Sequence, residues 1–413
     1  MTVYLKDLAS KITKGTTPSN IGESFSESGV MYFRSELLGK SKYIDKSNGL
    51  LFITESVHQK LKRSQIQKGD MLFSMAGAYL GKISLVREGD YPSNTNQAVA
   101  IIRLIPGICD SDYLYYYMTQ KSFNEQVYSF CAQAAQPNIN LEQIGRLKIN
   151  LPTIATQQKI ASILSAYDFQ IENNKKRIKL LEQMAENLYK EWFVRFRFPG
   201  YETAEFEGEV PKGWLFEKLN DFGIILETGS RPKGGIDASV ENGIPSLGAE
   251  AINELAEFDY NNFKLVSLDY YNSMKRGKSK GDHILVYKDG AYIGKATLFR
   301  NAFPFNTYSI NEHVFFLNTK DVNYQNYLYF TLHQPVFFTM MQNLNRNAAQ
   351  PGLSQQDMFG IKVFKPTINV VTAFNSFVEP ILDEVFNLAK ENRLLTTQRD
   401  LLLPRLMSGK LSI

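Results

Sequence analysis

The 413-residue sequence is written twice, with an offset of 212 to 214 residues. Gly15-Thr16-Thr17-Pro18 is matched by Gly229-Ser230-Arg231-Pro232, and residues 68–86 by 280–299. The second match has a shared centre, Gly-Ala-Tyr-aliphatic-Gly-Lys, at 77–82 and 290–295. Residues 91–97 then match 303–309, and 134–139 match 348–353. Each copy closes on a short strand-like run ending at Pro152 or Pro366. Matches in one order at a nearly constant offset mean two homologous domains, each a unit that folds on its own pattern. Inside each copy the patterns are mixed. Residues 71–75, 98–105 and 146–151 read as strands, and 113–130 reads as a helix whose counterpart at 327–344 is interrupted by Pro335. The fold class is therefore α/β (mixed α+β) in tandem duplication.

Each copy is followed by a long helical segment. In the first, apolar positions step four and three without a break: Ile160, Leu164, Tyr167, Ile171, Asn174, Ile178, Leu181, Ala185, Leu188 and Trp192, with Asn174 the polar member. This is a heptad seam. Shifting by 214 gives Phe374, Val378, Ile381, Val385, Leu388, Asn392, Leu395, Arg399, Leu402 and Leu406. The second seam is weaker, since Asn392 and Arg399 fall in it. Pro380 is expected to kink or delay its first turns and Pro404 to disturb its last. Asn174 and Asn392 either fix register and orientation or sit at a tolerated wet spot. A bare helix of roughly 40 residues, about 60 Å long, cannot keep an apolar seam in water. The two helices therefore pair, in either direction as far as the pattern goes. The expected boundaries are 1–152, 153–197, 198–366 and 367–413, with a Gly-, Pro- and Glu-rich link at 196–214.

Catalytic constellations are not found in the sequence. The repeated Gly-Lys segment is one residue too short for a phosphate-binding P-loop, and no Ser or Thr follows Lys82 or Lys295. A repeated structural turn is the better reading. The 4 His and 2 Cys have no metal-ligand spacing, so no metal and no catalytic residue is assigned. Neither a dinucleotide-binding glycine loop nor the Asn/Asp-Pro-Pro-aromatic tetrapeptide of adenine methyltransferases occurs. No 18-residue apolar run and no signal-peptide core is present, which points to a cytoplasmic protein without a membrane segment.

Two similar domains joined by a long spacer suit two separated patches on one elongated ligand, for which duplex DNA is the natural candidate. A net charge of +4 is low for a protein held to DNA by charge alone, so the contacts must be focused or shared with partners. Between the repeated segments the copies are dissimilar, as in 42–67 against 260–279, so the two targets should differ. Each dissimilar stretch ends in a basic cluster, Lys60, Lys62, Arg63 and Lys68 in one and Lys275, Arg276, Lys278 and Lys280 in the other. These are candidate phosphate contacts, against the alternative of a solvated basic surface. Lys82 and Lys295 follow a turn whose Gly81 and Gly294 permit positive φ or close approach. They are candidate phosphate contacts as well, or else structural. Tyr79 and Tyr292 are expected in core or turn packing. Asn94 and Thr95, with Asn306 and Thr307, are expected to cap a turn. A duplicated-domain coiled-coil scaffold that binds no DNA is the principal alternative.

On these segments the chain resembles the specificity subunits of type I restriction–modification enzymes. The resemblance is carried by GAYLGK and GAYIGK, AAQPNI and AAQPGL, the helical run 171–196 followed by GEVPKGW (208–214), and the C-terminal RDLLLPRLMSGKL (399–411). It implies two target-recognition domains, each reading one half of a bipartite asymmetric double-stranded DNA target. It implies that the helices pack antiparallel and set the unread gap. It further implies two modification subunits that methylate adenine with S-adenosylmethionine and a restriction subunit that works with ATP. The chain would thus be no enzyme and would need no cofactor of its own. A methylation-only system is a second assignment the resemblance allows.

Overall fold

The structure, a computed structural model, describes residues 1–411 apart from Asn48, 132–136, Ala238, Lys280 and 345–351. The chain folds into two compact units, Met1–Ile171 with Leu395–Ile413, and Glu172–Leu394.

In the first unit the run Val99–Leu104 forms the second strand of a four-stranded antiparallel sheet. Its neighbours are Ala9–Lys14 on one side and Met71–Ser74, then Ile83–Leu85, on the other. Val99, Ala100, Ile101 and Ile102 are all fully buried, so this strand is covered on both faces, as its unbroken apolar run requires. A mixed three-stranded sheet places Val30–Phe33 between Leu51–Ile53, antiparallel, and Ser93–Thr95, parallel. Thr2–Tyr4 pairs with Lys148–Asn150, bringing the two ends of the domain together. The expected helix over 113–130 is two helices, Ser111–Thr119 and Lys121–Ser129. Gln120 between them is extended (ψ 148°), and its side chain donates to the Tyr117 carbonyl freed at the break. The break lets Tyr113, Leu114 and Met118 on one segment and Phe123 and Val127 on the other all reach one core.

The second unit repeats this arrangement. Its four-stranded sheet runs Ile224–Thr228, Val314–Thr319, His283–Tyr287, Ala296–Phe299, and its three-stranded sheet runs Lys264–Val266, Ile244–Leu247, Ser309–Ile310. Leu215–Lys218 pairs with Lys362–Lys365. The helices Gln325–His333 and Pro335–Leu344 part at Gln334, where the following proline disfavours helical backbone. The duplication extends to single hydrogen bonds. Ile139 N–H donates to Met75 O in one copy and Leu353 N–H to Lys288 O in the other, both at 2.9 Å.

The long helices are Ile154–Tyr189, continued by a π-helical turn Lys190–Val194, and Ile368–Met407. In the first unit Ile160 and Leu164 share a core with Leu402, Leu406 and Met407. In the second unit Ala185 and Trp192 share one with Phe374 and Val378. The start of one helix thus meets the end of the other in both units, and the pair is antiparallel. Every seam position from Ile160 to Trp192 and from Phe374 to Leu406 is buried or half-buried. Neither proline breaks the second helix, contrary to expectation. Pro380 and Pro404 lie on its exposed side, and Ser376 and Asp400, whose carbonyls they leave unbonded, are exposed and can be served by water. Asn174 is not at a wet spot. It is fully buried, and its amide donates to Glu391 Oε2 at 2.9 Å. Arg399 is no defect either, since it forms a 2.5 Å ion pair with Asp168.

Candidate nucleic-acid interface

In the first domain the basic cluster sits on a constructed turn. Thr54 caps the short helix Glu55–Lys60, which ends at Leu61 and passes into a 3-10 turn, Lys62–Ser64. Beneath it lies the fully buried Asn94. Its amide donates to the Leu61 carbonyl (3.1 Å) and to Ser64 Oγ (2.9 Å), and its oxygen meets His58 Nδ1. Arg63 reaches from the turn to Thr16 Oγ1 (3.3 Å), in the first repeated segment. The Thr16 carbonyl accepts from Tyr32, whose hydroxyl is pushed up to about 12 by burial. Lys60 is tied to Glu23, while Lys62 is exposed. Lys68 does not join this group; it pairs with Glu88 at 3.2 Å.

The second domain builds a related turn. Ser267 caps the helix Leu268–Ser273, and the exposed Lys275 and Arg276 follow it. Gly277, at φ 73°, lies so close to Gly229 that a Cβ there would stand 2.5 Å from the Gly229 Cα. The basic stretch therefore abuts the repeated Gly229–Pro232 segment as Arg63 abuts Thr16. Lys278 donates to the Asn272 carbonyl (2.9 Å) and lies over the Tyr271 ring (4.9 Å). Lys280 falls outside the described residues, as do 134–136 and 348–351 of the AAQP segments.

The Gly-Ala-Tyr segments form tight turns, as expected. Gly81 and Gly294 have φ of 80° and 84°, and their N–H groups bond the Ser74 and Tyr287 carbonyls. Tyr79 and Tyr292 are not in the core: they are 41% and 62% exposed. Leu80 and Ile293 fill the space beneath the turn instead, at 3% and 1%. The Lys82 stem crosses Gly39, where a Cβ would come within 2.8 Å of it, whereas Lys295 is paired with Glu254 at 3.0 Å.

The expectation that Asn94, Thr95, Asn306 and Thr307 are equivalent turn caps is also corrected. Asn94 and Thr95 are buried strand residues, while Asn306 and Thr307 are exposed. The parallel bridges pair Tyr32 with Asn94 and Phe33 with Thr95 in one copy, but Ser246 with Ser309 and Leu247 with Ile310 in the other. Gly15 packs on Thr95 O and Gly229 on Ile310 O, so Thr95 corresponds to Ile310. The second copy carries three extra residues after its Phe303–Pro304 bond, and the shared Asn-Thr is a coincidence of sequence.

Among the described residues, Glu182, Glu254 and His333 bring their metal-ligating atoms within 4.8 Å of one another. Glu182 is raised to about 7 by desolvation, then by the charges of Glu254, Glu186 and Glu257. No helix among the described residues is long and apolar enough to cross a membrane.

A family model described as type I restriction modification DNA specificity domain matches residues 1–183. The MjaIX type I restriction enzyme specificity subunit of Methanocaldococcus jannaschii is 27% identical over 99% of this chain and 93% of its own. The HindI specificity subunit of Haemophilus influenzae is 23% identical over 67% of this chain and 71% of its own. The crystal structure of a type I restriction–modification S subunit from M. genitalium shares the fold, with a TM-score of 0.57, 16% identity and coverage of 98% of this chain and 95% of that one. Duplicated domains, an antiparallel helix pair and end-to-end similarity agree: the chain is similar, over nearly its whole length, to the specificity subunits of type I restriction–modification enzymes.

Proposed function

We propose that this chain selects a bipartite, asymmetric DNA target, with one domain per half-site and the helix pair as the spacer that sets the unread gap. The observation that carries the reading is the contrast between frame and content. The two domains agree down to single backbone hydrogen bonds, yet their basic turns, Lys60–Arg63 and Lys275–Lys278, carry dissimilar neighbours. The recognition domains are 1–152 and 198–366, and the spacers 153–197 and 367–413. Lys60, Lys62, Arg63, Lys68, Lys82, Lys275, Arg276, Lys278, Lys280 and Lys295 supply phosphate contacts. The chain does no chemistry. Methyl transfer and ATP-driven cleavage belong to two modification subunits and a restriction subunit. Exposed apolar side chains on the helices, Leu180, Met184 and Leu394 among them, offer the modification subunits a docking surface.

The test is a domain exchange. Replacing residues 1–150 by the equivalent domain of a relative should change one half of the methylated site and leave the other half and the gap intact. A change in both halves would sink the modular reading, and absence of DNA binding by the assembled complex would favour the scaffold.

A further inference from the structure

The two Gly-Ala-Tyr turns combine features that a purely structural turn does not need. The turn is stabilised from below by Leu80 or Ile293 and by its glycines; of the rings above it, Tyr292 meets Tyr287 edge-on at 6.3 Å and Tyr79 has no ring partner among the described residues. Yet a Tyr stands there in both copies, exposed in both, at Tyr79 and Tyr292. Neither hydroxyl has a hydrogen-bond partner among the described residues. A lysine follows three residues later in each, and Lys82 forms no ion pair among the described residues. Exposed residues elsewhere have diverged between the copies, as 42–67 and 260–279 have.

A residue shared by two domains with different targets cannot read what differs between those targets. It can touch only what they have in common. Both half-sites of a duplex present the same sugar–phosphate backbone. Tyr hydroxyls and Lys ammonium groups are ordinary donors to phosphate oxygens. We propose that Tyr79 with Lys82, and Tyr292 with Lys295, form a duplicated backbone clamp in which each Tyr hydroxyl donates to a phosphate of its half-site. The clamp joins the phosphate contacts of the basic turns in holding each domain in register on the duplex, and leaves base reading to the dissimilar side chains around those turns. The two clamps differ in one respect. Lys82 has no acidic partner among the described residues and lays its stem against Gly39, whereas Lys295 must leave Glu254 before it can meet a phosphate. The proposal rests on the DNA-recognition reading above.

The experiment uses the full chain assembled with its modification subunits, and filter binding to mixed-sequence duplex DNA and to duplex carrying the methylated target. Tyr79→Phe and Tyr292→Phe keep the ring and remove the donor on an exposed side chain, so folding is not at stake. Each should weaken both DNAs by the same factor, about ten- to a hundredfold, as for one hydrogen bond to a charged acceptor. The double variant should multiply the two factors, with the methylated consensus unchanged. Glu254→Gln should tighten binding by freeing Lys295. Wild-type affinity in both Phe variants overturns the clamp. So does a loss confined to target DNA, which would place the hydroxyls at base edges. Normal affinity of assembled complex with poor recovery of modification subunits would assign the turns to a protein partner. If the wild-type complex binds neither DNA, the recognition reading itself fails, separately from the clamp.

Discussion

Arg399 and Asp168 offer a measurable test of how polar residues sit in the helix seam. The guanidinium is 27% exposed and the carboxylate 17%, and they meet at 2.5 Å. Asp168 also accepts from the Tyr116 hydroxyl, and Arg399 holds Asp400 at 2.8 Å. At the positions 214 residues away the pair is Leu382 and Ala185, both fully buried. Arg399→Ala strands a mostly buried carboxylate with one hydroxyl donor. Breaking a buried pair costs about 3–5 kcal/mol, which partial exposure here reduces to about 2–3. Asp168→Leu should cost less, about 1–2 kcal/mol, because Arg399 keeps Asp400. Asp168→Leu with Arg399→Ala imports the apolar solution and should lie within about 1 kcal/mol of the parent, since apolar replacements of buried ion pairs are often neutral. Since the two single changes sum to about 3–5 kcal/mol, the coupling is about 2–5 kcal/mol. Urea unfolding of the four proteins, read by hydrogen exchange of amides around Leu164, gives the cycle. Additive single changes, or an Arg399→Ala protein as stable as the parent, would show the pair to be a solvated surface bridge and refute the argument.

Three further outcomes are expected. Changing Lys60, Lys62 and Arg63 together to Ala should weaken target and mixed-sequence DNA alike. The salt dependence should become shallower by about one unit for each phosphate no longer neutralised, in a titration from low to high salt. Glu182, raised from 4.5 to about 7, keeps its proton in the folded state between those values while the unfolded chain loses it; that stability is full below about pH 4.5 and gone above pH 7. Glu182→Gln should therefore stabilise the protein at pH 8 by about 2 kcal/mol, allowing for its half-exposed carboxylate, and leave it unchanged at pH 4, as thermal melts at the two pH values would report. Seven residues inserted after Ile178 and again after Leu388 preserve the seam and lengthen the pair by about 10.5 Å. The preferred gap should grow by about three base pairs, with lower affinity because the second half-site is rotated by roughly 100°, in a selection on a library that varies the gap alone.

What could be read beforehand follows from the range over which each signal acts. The duplication and the seam were legible because they recur: a period of seven and an offset near 213 survive local noise. Arg399 looked like a flaw because its partner Asp168 is not a seam position and comes into play only when two helices distant in the chain meet. Asn174 pairs with Glu391 for the same reason, and not with Asn392. Tyr79 and Tyr292 are not core residues because the adjacent Leu80 and Ile293 already fill the space beneath the turn, although Tyr292 keeps a packing contact there, edge-on to Tyr287. The Asn-Thr match misled because a short insertion in the second copy left two identical residues at one offset and the equivalent strands at another. The candidate phosphate contacts are the least legible, since a lysine on a turn looks the same whether it holds Glu23, as Lys60 does, or stands free.

The first unit is closed by the chain's last turns: Leu402, Leu403, Leu406 and Met407 pack into the same core as Ile160 and Leu164. On a ribosome this ordering has a cost in time. Roughly 240 residues separate Leu164 from those partners, so at about 5–20 residues per second the first domain waits about 12–50 s for its own cover. Throughout that interval its share of the seam is bare, while the second domain is already being made. The earlier-made of the two domains is thus the one completed later, and a ribosome that stalls before Leu402 leaves the first domain without its cover.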